Sequence, residues 1–130
     1  MALYFAAPKE GVPPLFDFIK SLDGKLRRKL ITQFCLLESS PTLGEPHVKH
    51  FTIAKYARLY ELRTRSGIMV RTVYTVRGGG NVIILLEPFI KRHKRNTMQA
   101  LEASINLLAG IDSGVCPIRK LETRELEKFL

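Results

Sequence analysis

Acidic residues are scarce in this chain, and cysteine is scarcer. Only two cysteines occur in 130 residues, Cys35 and Cys116, in unrelated contexts. That excludes a disulfide framework and paired metal spacing, and it fits a reduced, cytoplasmic setting. No window reaches the roughly 18 apolar residues that a membrane span needs. The N-terminus, MALYFAAPKEG, has no leading basic residues, and its apolar stretch is too short for a secretory signal. Constellations that announce a hydrolase are missing too. His47 and His50 are separated by two residues, without further ligands at metal spacing, and suit surface or turn positions. Neither cysteine lies near a histidine in sequence. The Gly78-Gly79-Gly80 run joins two strands and lacks the helix and lysine of a nucleotide-binding loop. No metal and no cofactor are expected.

What remains is a chain of ordinary globular proportions with an uneven charge. Hydrophobic residues make up 45% and charged residues 25%, enough for one domain over residues 1–130. Residues 111–130 read as an additional C-terminal segment, largely helical. Lys and Arg number 21 against 12 Asp and Glu, a net charge of +9. From His47 to Arg95 there are 11 basic residues and only two acids, Glu61 and Glu87; the remainder carries 10 of each sign. The whole excess therefore sits in the middle of the chain. Such asymmetry points to an anion-binding surface, most often for nucleic acid. A solvated face that serves solubility alone is the plainer alternative.

The hydrophobic pattern orders the elements. Ala2–Ala7 is a short apolar run that reads as a strand. Pro13 and Pro14 open a helix with Leu15, Phe16, Ile19 and Leu22 on one face. Asp23 can cap a second helix to about Ser39, striped by Leu26, Leu30, Phe34 and Leu37, with Lys25, Arg28 and Lys29 outward. The two form a helical hairpin, and Ser39–Gly44 is a loop. Alternation then replaces helical spacing in Arg58–Thr64, Ile68–Arg77 and Asn81–Glu87, three antiparallel strands with turns at Arg65–Gly67 and Gly78–Asn81. Asn96, with Gln99 reaching back, can cap a third helix striped by Met98, Leu101, Ile105 and Leu108 and ended by Gly110. Lys120–Leu130 reads as a short exposed helix. The fold class is α+β: strand-helix-helix-strand-strand-strand-helix, with a small antiparallel-rich sheet on the hairpin.

Arginines interrupt the apolar strands. Alternation puts Glu61, Arg63 and Arg65 on one face, and sets Arg71 opposite Tyr74 on the next strand. A mid-strand arginine must reach solvent, a carboxylate or an anion, because burying it unpaired costs several kcal/mol. Glu61 or Glu87 can pair with Arg63 or Arg71, yet two acids leave most of the cluster unmatched. The run Phe89-Ile90-Lys91-Arg92-His93-Lys94-Arg95 follows the last strand and enters a helix N-terminus. Backbone N–H groups and the helix dipole there favour an anion.

Leu59-Tyr60-Glu61-Leu62-Arg63, Val70-Arg71-Thr72-Val73-Tyr74 and Ile84-Leu85-Leu86-Glu87-Pro88-Phe89-Ile90-Lys91-Arg92 together resemble the phage-derived Gp49-like (HigB-type) branch of the RelE toxin superfamily. That family shows an "ELR" strand, an arginine-bearing strand ending in tyrosine, and an F-x-K-K segment, in this order. The resemblance spans about Leu3 to Gly110. Asn96-Thr97 stands where the family has Thr-Pro, Arg92 replaces the second lysine, and Ile111–Leu130 lies outside the pattern.

The resemblance implies the toxin of a type II toxin–antitoxin pair, a ribosome-dependent mRNA endoribonuclease (mRNA interferase) using the RNA 2′-OH as nucleophile without a metal. Arg63, Arg71 and Lys91 would hold the scissile phosphate, since guanidinium groups supply permanent bidentate charge. His93, Lys94 or Lys91 would move protons, and Tyr74 would orient the 2′-OH or stack on a base if a bulge brought it beside Arg71. Arg65, Arg92, Arg95, Lys49 and Lys55 would line the RNA path. The expected partners are mRNA, the ribosome and a HigA-like helix-turn-helix antitoxin covering the groove. A non-catalytic, phage-derived nucleic-acid-binding protein would carry the same basic surface, as would a protein that binds an acidic partner.

Overall fold

The computed structural model describes residues 2–39 and 47–130. Its elements run β1 (Ala2–Ala6), α1 (Pro14–Ser21), α2 (Gly24–Ser39), β2 (Val48–His50), β3 (Leu59–Ser66), β4 (Ile68–Arg77), β5 (Val82–Ile90), α3 (Lys94–Asp112), β6 (Ile118–Lys120) and α4 (Thr123–Glu127). The strands form one six-stranded sheet in the order β2-β3-β4-β5-β1-β6. Pairing is antiparallel except between β1 and β5, which run parallel because the helical hairpin and β2–β4 separate them in sequence.

Period-2 alternation sorts the sheet into two cores. Leu62, Val70, Tyr74, Ile83 and Leu85 face the hairpin and pack on Leu15, Ile19, Leu26, Leu30, Phe34 and Leu37. Leu59, Val73, Ile84 and Leu86 face the other way, against Ala100, Leu101, Leu108 and Ile111 of α3. The sheet is thus covered on both faces, where the sequence indicated only the hairpin. Pro13 and Pro14 open α1 as expected, and Asp23 Oδ1 accepts from the Leu26 N–H at 2.9 Å at the start of α2. The β3–β4 ladder runs to Ser66↔Ile68, leaving Gly67 alone at the turn with φ 75°, a conformation that side chains disfavour. The loop expected over Ser39–Gly44 lies, beyond Ser39, outside the described residues.

Three differences follow from local chemistry. Helix α3 begins at Lys94, not after Asn96. Asn96 Oδ1 reaches back to accept from the N–H groups of Arg92 and His93, at 2.9 and 2.8 Å, so it braces the helix start from inside. Strand β5 continues through Phe89 and Ile90, so the strand itself carries the first part of the expected basic loop. The C-terminal segment is more than an exposed helix. Strand β6 pairs with β1, while Leu121 and Leu126 are 1% and 2% exposed within the hairpin-side core.

Candidate nucleic-acid interface

Arg63 and Arg71 are direct cross-strand partners on β3 and β4. Both lie on the α3 face of the sheet by alternation from Leu59 and Val73. Helix α3 packs mainly over β5 and β4 of this face. Like charges directly opposite in a ladder repel. The repulsion is offset by Glu61, two residues before Arg63 and fully buried. Its Oε1 accepts from Arg63 Nε at 3.1 Å and from Arg71 Nη1 at 2.8 Å. Burial lowers the Arg71 guanidinium from its ordinary value, and Glu61 opposes that shift; an arginine so placed stays charged.

Helix α2 fixes this strand from the other side. Gln33 Nε2 donates to the Arg63 carbonyl at 2.9 Å, the Thr64 hydroxyl donates to Gln33 Oε1, and Lys29 Nζ donates to the Arg65 carbonyl. The Arg63 N–H donates to the His47 carbonyl at 2.8 Å. A cleft of about 340 Å³ results, lined by Lys29, Gln33, His47, Arg63, Arg65, Met69 and Arg71.

Lys91 joins from the end of β5, its N–H bonded to the Met69 carbonyl at 2.9 Å. Its ammonium lies below the ordinary lysine value, first through desolvation and then through Arg71, with Arg63 and Lys49 adding and Glu61 opposing. Lys49 lies across the ladder from Glu61. Arg63, Arg71, Lys91, Lys49 and Arg65 therefore form a basic cluster around the buried Glu61 carboxylate.

The remaining sequence candidates fall elsewhere. Arg92, His93, Lys94 and Arg95 are exposed at the start of α3. Lys55 is engaged with Glu102 at 2.6 Å, which also takes the Tyr56 hydroxyl. Tyr74 is buried on the hairpin face, stacked on Tyr60 at 5.3 Å, and Tyr60 in turn stacks on His50 at 4.3 Å. Burial first, and Tyr60 second, push the Tyr74 phenol well up. The register shift between Thr72 and Tyr74 consumes an extra residue of β5, not β4, so Tyr74 and Arg71 keep opposite faces. Lys29, Gln33 and His47 were not legible as site residues, because the packing of α2 on β3 brings the first two there and the pairing of β2 with β3 brings the third.

Glu87, the second acid of the basic region, takes no part in this cluster. It lies at the β5 irregularity, and burial alone raises its carboxyl above the ordinary value. A raised folded-state pKa favours folding below the unfolded pKa, and that advantage is lost as pH rises through the folded one. Glu87→Gln is expected to raise Tm by roughly 1–3 °C at pH 7 and to leave it unchanged near pH 4, by thermal melts at both pH values.

Six strands flanked by a helical hairpin and a third long helix, with arginines gathered on one sheet face, define a RelE-type toxin fold. The free-state structure of an Escherichia coli RelE toxin mutant superposes with a TM-score of 0.52 at 16% identity, over 82% of this chain and 97% of that one. The chain belongs to the family described as phage derived protein Gp49-like (DUF891), whose sequence profile matches residues 17–107. What it shares with RelE is the fold. No curated protein matches the chain. Among the described residues no helix is long and apolar enough to cross a membrane.

Proposed function

We propose that the chain is the toxin of a type II toxin–antitoxin pair and acts in the cytoplasm as a ribosome-dependent mRNA endoribonuclease. The observation that carries the reading is the cluster of Arg63, Arg71 and Lys91 around the buried Glu61 carboxylate, in a fold of RelE type and a chain of the Gp49-like family. RNA brings its own nucleophile. The 2′-OH loses its proton, its oxygen attacks phosphorus, the P–O5′ bond breaks, and the leaving 5′-oxygen takes up a proton. The protein then has to hold a pentacoordinate, strongly anionic phosphorus and move protons. Arg63 and Arg71 supply the positive charge, each well-placed donor being worth about 3 kcal/mol in the transition state. Lys91, with its depressed pKa, is the group poised for proton transfer. Arg65 and Lys49 extend the positive surface for RNA, and Arg92, His93, Lys94 and Arg95 continue it at the α3 end. A neutralising antitoxin of helix-turn-helix type would cover the cleft with acidic or helical surface.

The test is brief induction in a bacterial host, followed by growth measurement and mRNA 5′-end mapping. The expected result is growth arrest with new 5′ ends inside translated regions, both suppressed by co-expression of the partner gene. Intact mRNA, together with RNA affinity that falls steeply with salt, would instead establish a non-catalytic nucleic-acid-binding protein.

A further inference from the structure

We propose that Glu61 is a positioning residue, a buried clamp that holds the guanidinium groups of Arg63 and Arg71 in the one arrangement able to receive a phosphate between them. The proposal rests on the endoribonuclease reading and extends it to a residue that touches no substrate. Glu61 is 0% exposed, and Arg63 and Arg71 retain 24% and 12% side-chain exposure. The carboxylate is therefore out of reach of RNA, while part of each guanidinium is not. Its hydrogen bonding is lopsided: Oε1 takes both arginines, while Oε2 and Arg71 Nε are buried without a hydrogen-bond partner among the described residues. A bidentate fork to a single arginine would satisfy more of these atoms. Stability alone does not call for this arrangement, since a buried charge cluster is often replaceable by apolar residues without loss. What it does provide is two cations brought side by side from adjacent strands by one shared oxygen. That is preorganisation, with the reorganisation completed before substrate arrives.

Two variants and one spectroscopic probe test the clamp on the full chain. Glu61→Gln keeps size but removes the charge. It is expected to slow single-turnover cleavage of mRNA on ribosomes by roughly 10- to 100-fold. Affinity for an uncleavable 2′-deoxy oligonucleotide should stay equal or tighten, because the surface gains net positive charge. Glu61→Asp keeps the charge but is one methylene short of both arginines, and is expected to lose cleavage similarly. In ¹H–¹⁵N spectra the Arg63 Nε–H signal should be protected from exchange in the parent and exchange faster in Glu61→Gln. Cleavage at the parental rate in a folded Glu61→Gln would overturn the proposal, as would rate, affinity and Tm falling together. Should the parent leave RNA intact, the ribonuclease reading alone falls. The Arg63 signal then judges the clamp: protection lost in the variant supports it, and equal exchange in both proteins overturns it.

Discussion

Arg71→Ala is expected to yield a protein that no longer arrests growth, with RNA cleavage reduced roughly 10²- to 10³-fold. That is the usual cost of deleting one preorganised donor to a developing oxyanion. Arg71 sits at the centre of the cluster, opposite Arg63 on β3, bonded to Glu61, and close enough to Lys91 to depress its pKa. Removing it takes away a phosphate donor and also lets the Lys91 pKa rise, since Arg71 is the largest electrostatic cause of its depression. Two consequences separate these roles. Arg71→Lys retains charge but lacks the planar fork, so it should recover only part of the rate. In Arg71→Ala the residual activity should move to higher pH, because a less depressed lysine loses its proton later. Growth curves, 5′-end mapping and a pH–rate profile are the measurements. If Arg71→Ala inhibits growth as strongly as the parent, the phosphate-binding assignment is wrong.

Legibility in the sequence followed the range of the interactions. Alternation alone placed Arg63 and Arg71 on strands and Tyr74 across the sheet from Arg71. A bulge exists, as a joint site would have required, but it lies in β5 and leaves β4 regular. The basic run Lys91–Arg95 looked like one feature in sequence. Physically it divides: Lys91 still belongs to the end of β5 and turns to the cluster, while Arg92–Arg95 pass into the exposed start of α3. Lys55 was indistinguishable from Lys49 by composition, yet it is tied to Glu102 on α3, 47 residues away. Pairings of that kind have no local signal. Strands β2 and β6, of three residues each, fall below the length at which alternation can be recognised. Glu61 was legible as a possible arginine partner. That one oxygen serves both arginines depends on the β3–β4 register, which the chain settles only on folding.

The C-terminal segment lies outside the residues matched by the family profile, 17–107. Deleting residues 118–130 is nevertheless expected to destabilise the fold by about 4–6 kcal/mol. Leu121 and Leu126 are almost fully buried against the hairpin-side core, each worth about 1.5–3 kcal/mol. The Leu121 N–H donates to the Leu3 carbonyl at 2.8 Å, and β6 covers the outer edge of β1 across Tyr4–Ala6. Arg119 lies over Phe5 and Phe16 at 5.0 and 5.5 Å, and its guanidinium is held by Glu125 at 3.0 Å. Removing the segment exposes the Phe5–Phe16 contact and frees the edge of β1, a strand with apolar residues on both faces. A loss of this size approaches the whole stability of a small domain, about 5–15 kcal/mol, so the shortened chain should unfold or aggregate at growth temperature. Denaturant titration of the full and shortened proteins measures it. Leu126→Ala, expected to cost about 2–4 kcal/mol, gives the same comparison without opening the β1 edge. If the shortened chain melts with the parent, the tail is an appendage, and the burial of Leu121 and Leu126 contributes far less than their exposure implies.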